Sequence, residues 1–455
     1  MGGLRVLWVG LACLWAQRWE SVAGGTDRQV EVLYPWQGAL YVGGRFTTVG
    51  GAGGLQAQGI ARYTSSGWQT VGGIGAGGNG QIYAMVEYGG KLIVGGDFSG
   101  IGTSSAQNLA AYDPATGTWS AVGGGVNGPV RALAVYDGEL LVGGDFTQVN
   151  VAGASPLYYA FFARWNGSQW LAPDPSNPSY LLTGGSPRAF IVFQNKLYLV
   201  GNFTAAYYNE TDKAYIAIWD KAQQKILPAY APGQGPDNNI WCAALWQGSL
   251  YLGGDLTTFG SATGKVVRFD GSRAYSVTGA PTSGSVRALL ATPTDLYVAG
   301  SFTQAGGQTV NRVAKLSSTG TWSALDRGLG PTIVNTLAWY NGTLYAGGGF
   351  TTDGAGNALP YIARFASGVS ALPHLVEGAI RLSQVGPGAY LLSVESPLHL
   401  TRLQLFNAMG QVVYESEGLR GPGASLALPV LSPGVYGLRA QTEEGQLFFL
   451  RFAAQ

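Results

Sequence analysis

The side chains that most often carry out catalysis are scarce in this sequence. Its 455 residues include two histidines, His374 and His399, and two cysteines, Cys13 and Cys242. Because both histidines follow residue 373, the long segment before them has no Ser-His-Asp triad, no Cys-His pair and no histidine-ligated metal site. Cys242 stands in an apolar run and is predicted to be a small buried core residue. The chemistry that remains belongs to carboxylates, tyrosines and amides.

Tyrosines and carboxylates gather in four segments, at 148–160, 172–186, 205–213 and 228–239. Flat aromatic rings beside hydrogen-bonding groups are suited to bind a sugar or a peptide. Carboxylates can also hydrolyse a glycosidic bond, which needs two of them and no histidine. The alternative is that the tyrosines pack these segments onto the rest of the fold. The candidate ligand-binding residues are Tyr158, Tyr159, Tyr180, Tyr207, Tyr208, Asp174, Glu210, Asp212 and Asp237.

The composition limits the class of protein that could position these residues. Glycine accounts for 72 of the 455 residues, without the three-residue period of collagen, and aromatic residues for 12 %, so the chain is neither collagen-like nor disordered. Charged residues are 11 % and the net charge is +1, which gives no electrostatic signature of nucleic-acid binding. Many short strands joined by glycine turns fit these values.

One eight-residue block recurs seven times. Successive blocks start 46 to 57 residues apart, a period typical of four-stranded propeller blades. Within each repeat we expect four short strands, and Asp137-Gly138 and Asn166-Gly167 supply the tight turns of an antiparallel meander. The sequence therefore predicts an all-β, seven-bladed β-propeller over residues 17–372. The blocks are LYVGGRFT at 40–47, LIVGGDFS at 92–99, LLVGGDFT at 140–147, LYLVGNFT at 197–204, LYLGGDLT at 250–257, LYVAGSFT at 296–303 and LYAGGGFT at 344–351.

The four tyrosine-rich segments are the long loops of blades 3 and 4. In a four-stranded blade, the loop between the second and third strands and the crossover to the next blade lie on one face. That face is therefore the predicted ligand-binding surface. The residue after the glycine pair also shares one structural position in every repeat, where aspartates could bind calcium or cap their own turns. We expect turn capping and no cofactor, since the chain has no dedicated calcium loop. These residues are Arg45, Asp97, Asp145, Asn202, Asp255, Ser301 and Gly349.

The N-terminal end of the predicted propeller carries an additional outer-strand sequence. Residues 19–25 match residues 68–73 and 119–124, which are predicted to form the outer strands of blades 1 and 2. Because the first copy precedes any complete blade, it is predicted to supply the outer strand of blade 7. A competing outer strand at 369–372 remains open.

Two kinds of propeller repeat are similar to these units. The segment from Tyr112 to Trp119, following Gly95-Gly96, resembles a kelch repeat. The repeated block, with Ala-Arg-aromatic about twenty residues later, is more similar to the delta-60 type propeller repeat. The resemblance covers roughly residues 18–372. It implies a fold and is nearly silent on activity, since propellers carry many unrelated functions.

The first sixteen residues are predicted to be a secretory signal peptide. Arg5 precedes the apolar run 6–14, and Ala16 and Gln17 form the predicted cleavage site. The run is too short for a membrane span, which needs about 20 apolar residues, and no later segment is a transmembrane candidate. The alternative is an N-terminal core strand.

The segment 374–455 differs in composition from the repeats. It has no tryptophan and no lysine, and its six or seven short strands predict a small β-sandwich. It resembles the C-terminal sorting domain of the type IX secretion system of Bacteroidota-type bacteria. That resemblance implies export across the outer membrane by the secretion machinery, then release or attachment at the cell surface; a generic β-sandwich is the alternative. The residues that carry it are Asn407, Gly410, Gly434, Tyr436 and Arg451, the last standing where the family usually has lysine.

Together these features predict a secreted or cell-surface binding protein that is not an enzyme. The ligand is predicted to be a glycan or a protein on the long-loop face of blades 3 and 4. The first alternative is a secreted enzyme that cleaves polysaccharide with the loop carboxylates. The second is a structural surface protein.

Overall fold

The computed structural model describes residues 17–74, 80–151, 153–175, 182–206, 214–366, 380–386, 389–394, 400–407, 412–417, 425–431, 434–442 and 447–454. Every extended regular element in these ranges is a β-strand, which confirms the all-β prediction. No helix capable of crossing a membrane is found in the described ranges. The chain divides into two compact units: Gln17–Ala366, and one that includes Ser367–Gln455.

The first unit is a seven-bladed β-propeller, as predicted. Seven four-stranded antiparallel sheets form the blades, and each innermost strand contacts the innermost strands of both neighbouring blades, which closes the ring around a central channel. From the innermost strand outward, the strands of blades 1 to 3 are Val30–Trp36, Ala39–Gly44, Ile60–Thr64 and Gly67–Thr70; Gln81–Tyr88, Lys91–Asp97, Leu109–Asp113 and Thr118–Ala121; and Val130–Tyr136, Glu139–Gly144, Phe162–Trp165 and Trp170–Leu171.

The remaining blades have the same order. Their strands are Pro187–Phe193, Lys196–Gly201, Ile216–Asp220 and Lys225–Pro228 in blade 4; Ile240–Trp246, Ser249–Gly254, Val266–Phe269 and Ala274–Ser276 in blade 5; Val286–Ala291, Asp295–Gly300, Val313–Ser317 and Trp322–Ala324 in blade 6; and Val334–Tyr340, Thr343–Gly348, Ile362–Ala366 and Arg18–Ser21 in blade 7.

Small two-stranded sheets occur in the long loops on one face of the ring. We call this face, which carries the loops between second and third strands and the crossovers, the loop face. Its paired strands are Thr48–Val49 with Leu55–Gln56, Leu182–Thr183 with Ala205–Ala206, Thr258–Phe259 with Ala262–Thr263, Gln304–Ala305 with Gln308–Thr309, and Leu329–Gly330 with Thr352–Asp353.

The N-terminal strand closes the ring, as predicted. Arg18–Ser21 pairs antiparallel with Ile362–Ala366. The indole of Trp19 donates a hydrogen bond to the carbonyl oxygen of Leu325 in the crossover that follows blade 6, at 3.0 Å. Outer-strand tryptophans of blades 1, 2, 3 and 6 bond to the preceding crossover in the same way, so Trp19 is the equivalent residue of blade 7. The competing segment 369–372 lies outside the described residues.

The second glycine of the repeat block has a steric explanation. In blades 4 and 6 the first glycine is replaced by Val200 and Ala299, but the second is glycine in every blade. A Cβ on Gly254 would lie 2.0 Å from the backbone oxygen of Asn239 in the same blade, and the other six would lie within 2.3 Å of the equivalent oxygen. The positions are Gly44, Gly96, Gly144, Gly201, Gly254, Gly300 and Gly348.

We therefore expect Gly254→Ala to destabilise the propeller by about 3 kcal/mol, because neither backbone segment can yield without breaking strand pairing. Urea unfolding of the purified protein measures this change. Gly330→Ala is the matched control, since its Cβ would meet no atom closer than 3.8 Å. Equal unfolding midpoints for the two variants would contradict the steric explanation.

The second unit has a three-stranded and a four-stranded antiparallel sheet. Among the sorting-motif residues, Asn407 follows a strand, Gly434 and Tyr436 lie in the strand Gly434–Thr442, and Arg451 pairs with Gly437; Gly410 lies outside the described residues. The β-sandwich and its sorting role stay predictions. The strands are Ile380–Gly386, Ala389–Val394 and Ser425–Ala427 in the first sheet, and Val412–Glu417, Leu400–Phe406, Gly434–Thr442 and Leu447–Ala454, in spatial order, in the second.

Candidate functional site

The predicted loop tyrosines have different surroundings. Tyr158 is 63 % exposed, whereas Tyr159 is half-buried and packs against the core of blade 3. Burial raises the pKa of Tyr159. The nearby Tyr230 is buried, and its hydroxyl donates to the carbonyl oxygen of Ala214 at 3.1 Å. Tyr159 and Tyr230 therefore pack their loops onto the blades. The other predicted residues of these loops, Tyr180, Tyr207, Tyr208, Glu210 and Asp212, lie outside the described residues.

Asp174 and Asp237 are the two predicted loop carboxylates that lie in the described residues. Asp174 is buried. One carboxylate oxygen of Asp237 accepts the backbone N–H groups of Thr257, at 2.8 Å, and Thr258, at 3.0 Å. Burial alone would raise the pKa of Asp237, but hydrogen bonds from the Thr257 hydroxyl and from these amides lower it. Asp27 and Asn127 join a crossover to a loop in the same way in blades 1 and 3. A ligand-binding role for Asp174 and Asp237 stays a prediction.

A ring of polar side chains surrounds the channel on the loop face. In six blades the innermost strand has a β-bulge after its first residue, as between Val130 and Ala132, and in blade 2 the bulge lies between Ile82 and Ala84. The extra residue in a bulge is turned out of the regular alternation, which re-aims its side chain. Each bulge residue contacts the bulge residue of at least one neighbouring blade, so together they line the channel mouth. We call them the mouth ring: Glu31, Tyr83, Arg131, Arg188, Trp241, Arg287 and Asn335.

Contacts between adjacent blades connect the mouth ring. The guanidinium of Arg131 lies 4.0 Å from the ring centroid of Tyr83. Trp241 has a guanidinium from each neighbouring blade near its ring, Arg287 at 4.3 Å and Arg188 at 5.6 Å. Cation–π contacts of this kind are favourable and are strengthened by partial burial. In addition, the side-chain amide of Asn335 donates to the Glu31 carboxylate at 3.0 Å.

The residues that follow the glycine pair hold the mouth ring in place. One oxygen of Asp145 accepts from Arg131 at 2.8 Å, and the other accepts from the Ser186 hydroxyl at 2.6 Å and from Arg188 at 3.3 Å. Asp255 accepts the indole N–H of Trp241 at 2.8 Å. The expectation that these aspartates cap their own turns is wrong for Asp145 and Asp255, because their side chains reach inward to the bulge residues instead. In the described part of the chain, no three His, Cys, Asp or Glu side chains are grouped to hold a metal.

Burial and neighbouring charges shift the pKa values of the mouth-ring residues and of Asp145. Burial raises the pKa of Glu31, although Arg45, Arg131 and Arg287 act to lower it. Burial would also raise the pKa of Asp145, but the Ser186 hydroxyl and the two arginines lower it. The pKa of Arg188 is lowered, first by burial and then by the positive charges of its neighbours, despite the opposing effect of Asp145. Burial would also lower the pKa of Arg131, but its hydrogen bond to Asp145 and the neighbouring Tyr83 raise it. Asp145 therefore compensates the charge of Arg131 more completely than that of Arg188.

The sequence analysis missed the mouth ring, although the sequence carries a signal for it. Val130-Arg131-Ala132-Leu133, Pro187-Arg188-Ala189-Phe190 and Val286-Arg287-Ala288-Leu289 place a charge at one position of three predicted buried strands. A charge inside an apolar strand requires a polar environment. Aligning the innermost strands of the repeats singles out this position, and the bulge then turns it to the channel.

The fold defines this protein as a seven-bladed β-propeller, and two family models match parts of it. One, described as the Rax2 C-terminal beta propeller domain, matches residues 63–161. The other, described as the beta-propeller domain of unknown function DUF5122, matches residues 296–321. Both confirm the prediction of propeller repeats, while the kelch and delta-60 assignments stay predictions. No curated protein matches the sequence.

Several solved structures are similar at low identity. Extracellular domains assigned to a one component and a hybrid two component system of B. thetaiotaomicron are each 13 % identical, with TM-scores of 0.47 and 0.49. Each match covers 96 % of this chain and 59 % of the other, so this chain spans 59 % of their length. The computationally designed Ika8 protein is 12 % identical, with a TM-score of 0.42 and coverage of 95 % of this chain and 99 % of the design. No ligand or activity is carried over from these structures.

Proposed function

We propose that this protein is a secreted or cell-surface binding protein without catalytic activity, and that its ligand binds on the loop face at the mouth ring. The observation that supports this proposal is the convergence of seven bulge side chains, three of them arginines, at one end of the channel. Charged and aromatic groups that converge on one concave surface are typical of ligand sites.

The mouth ring is also held in a fixed geometry before any ligand binds. Trp241 is fixed by Asp255, and Arg131 is fixed by Asp145 and by the ring of Tyr83. Side chains that are already ordered lose little conformational freedom on binding, so more of the interaction energy appears as affinity. A site built this way favours recognition of a rigid ligand over wide adaptability.

The test uses the chain from residue 17 to 455 with a panel of soluble and insoluble polysaccharides and peptides, with and without calcium. Depletion of protein from solution and release of reducing ends are measured in the same tubes. We expect depletion without release, and we expect Trp241→Ala to weaken it at least about tenfold, as expected for loss of a central aromatic contact. Trp339→Ala is the matched control, since Trp339 also lies on an innermost strand but is 43 % exposed and outside the mouth ring.

Retention of full binding by Trp241→Ala would move the ligand away from the mouth ring. The predicted loop site of blades 3 and 4 is tested in parallel with Tyr158→Ala, the loop tyrosine with the greatest described exposure. Loss of binding in that variant alone would place the ligand on the loops, as the sequence predicts.

Polysaccharide cleavage is the second candidate function. The support is that burial raises the pKa of Glu31 in the mouth ring, while the pKa of Asp145, which is bonded to two arginines of the ring, is lowered; glycosidases pair a protonated carboxyl with an ionised one. The loop carboxylates Asp174, Glu210, Asp212 and Asp237 are the candidates predicted from sequence. Release of reducing ends that is abolished by Glu31→Gln would establish the enzyme and overturn the binding proposal.

We further propose export by type IX secretion, directed by a signal peptide at 1–16 and a sorting domain at 374–455. The support is the sequence resemblance of the C-terminal segment. In a bacterium that has this machinery, the full chain is expected in the medium or on the surface, while a chain that ends at residue 373 stays in the periplasm. Equal export of both chains would contradict the sorting role.

A further inference from the structure

The mouth ring is divided into two halves of different charge. Blades 3, 4 and 6 contribute Arg131, Arg188 and Arg287, and Trp241 of blade 5 lies between the last two. This arc therefore has three positive charges and two carboxylates bonded to it, Asp145 on Arg131 and Arg188 and Asp255 on the indole of Trp241. The opposite arc, from blades 7, 1 and 2, is neutral or acidic and consists of Asn335, Glu31 and Tyr83.

Arg287 has the least satisfied guanidinium of the cationic arc. Its Nε is buried and has no hydrogen-bond partner, and it forms no ion pair with any described residue. The face of Trp241 lies 4.3 Å from the guanidinium carbon and accepts no N–H bond in the plane of the guanidinium fork. No described residue accepts a hydrogen bond from Arg287, so an acceptor from outside the chain that reaches its Nη atoms would form a charge-assisted bond there.

The other two arginines share a single carboxylate. Arg131 and Arg188 both donate to Asp145, and the remaining bond of Arg188 goes to the uncharged Asn202 at 3.2 Å. The pKa of Arg188 is lowered first by burial and then by the charges of Arg131 and Arg287, although Asp145 opposes the shift. An anion that reaches Arg188 and Arg287 would interact favourably with both guanidinium groups.

We infer that the cationic arc binds a carboxylate group and that the ligand is an acidic sugar, an inference that rests on the proposed binding function. The guanidinium fork matches the two oxygens of a carboxylate. The opposite arc offers acceptors for sugar hydroxyls: the Glu31 carboxylate, the Tyr83 hydroxyl oxygen and the side-chain carbonyl oxygen of Asn335. The Asn335 amide itself already donates to Val30 and Glu31, and the Tyr83 hydroxyl donates to Gln81. A molecule with one carboxylate and several hydroxyls on a rigid ring meets both arcs at once.

The inference is tested by titration calorimetry with tri-galacturonate, its methyl ester, and inorganic phosphate. We expect tri-galacturonate to bind at least about tenfold more tightly than the uncharged ester, with an affinity that falls as salt rises. Arg287→Met is expected to lower the affinity for the acid about tenfold to a hundredfold and to leave the ester unaffected. Arg268→Met is the matched control, because Arg268 also lies over an aromatic ring, that of Tyr275 at 4.6 Å, but outside the mouth ring.

A melting curve of each variant separates binding from folding. Arg287→Met is expected to melt no lower than the unmodified protein, because it removes a buried donor that has no partner. Equal affinity for the acid and the ester, with both lost in Trp241→Ala, would overturn the carboxylate inference and leave the proposed function standing. Phosphate or a peptide carboxylate binding as tightly as the acid would overturn the assignment to an acidic sugar. Absence of binding of every probe would overturn it as well.

Discussion

A chain that begins at Gly24 instead of Gln17 is expected to lose its cooperative unfolding transition and to aggregate. This deletion removes Arg18–Ser21, the outer strand of blade 7. It also removes Trp19, which is buried, lies 5.0 Å from the ring of Phe365 and donates to the Leu325 carbonyl. The exposed edge of Ile362–Ala366 would then be free to pair with a second molecule.

The point variant Trp19→Ala tests the same contact without deleting backbone. Truncation of a buried tryptophan costs about 3–5 kcal/mol, and we expect a loss in that range. Trp339→Ala in the same blade is the control, since its side chain is 43 % exposed and little stability depends on it. Differential scanning calorimetry and light scattering measure the two effects.

One result would contradict the closure. If the chain that begins at Gly24 melted like the full chain, another strand would have to complete blade 7, and 369–372 is the predicted competitor. A chain that ends at residue 368 distinguishes the two closures, because it keeps Arg18–Ser21 and lacks the competitor.

Asp145→Asn is expected to destabilise the propeller by about 2 kcal/mol at neutral pH. The substitution leaves Arg131 and Arg188 without the carboxylate that they share. Breaking a fully buried ion pair costs about 3–5 kcal/mol, and the value is lower here because the Asp145 side chain is 33 % exposed. Asp113→Asn is the control, since Asp113 pairs with Lys91 at 3.4 Å on the surface, where an ion pair contributes little.

The effect of Asp145→Asn should depend on pH in one direction. Because the folded state lowers the pKa of Asp145, its contribution is complete above the ordinary carboxyl pKa of 3.8 and is lost as the pH falls through the folded value. Urea unfolding of both proteins should therefore differ equally at pH 7 and pH 5, and the difference should shrink below about pH 4. A difference that grew toward acid pH would refute the assignment of the effect to the Asp145 carboxylate.

The propeller and its closure could be predicted because both depend on residues that recur along the sequence. The second glycine of each block is fixed by a backbone oxygen, and the copy at 19–25 repeats the outer strands. The mouth ring could not be predicted in the same way. Three of its seven residues are arginines and the other four are of four different types, and only the bulge, which depends on strand pairing, turns them to the channel.

The predicted loop site shows another limit of prediction from sequence. Tyr159 and Tyr230 have the residue type of a binding surface, but neighbouring strands decide whether an aromatic ring packs inward, as it does at both positions. Asp145 shows a third case. Its position was singled out from the repeats, but its partners Ser186 and Arg188 come from the next blade and are visible only in three dimensions.

The pairing of the first strand with the last blade also fixes the order of events during folding. Glu20 and its partner Arg364 are 344 residues apart in sequence, so the segment that is synthesised first has to wait for nearly the whole propeller to follow. Until then the blades form an open series with two unpaired ends. Such exposed strand edges can pair with other chains, and the ring can become resistant to proteases only when the last blade has formed.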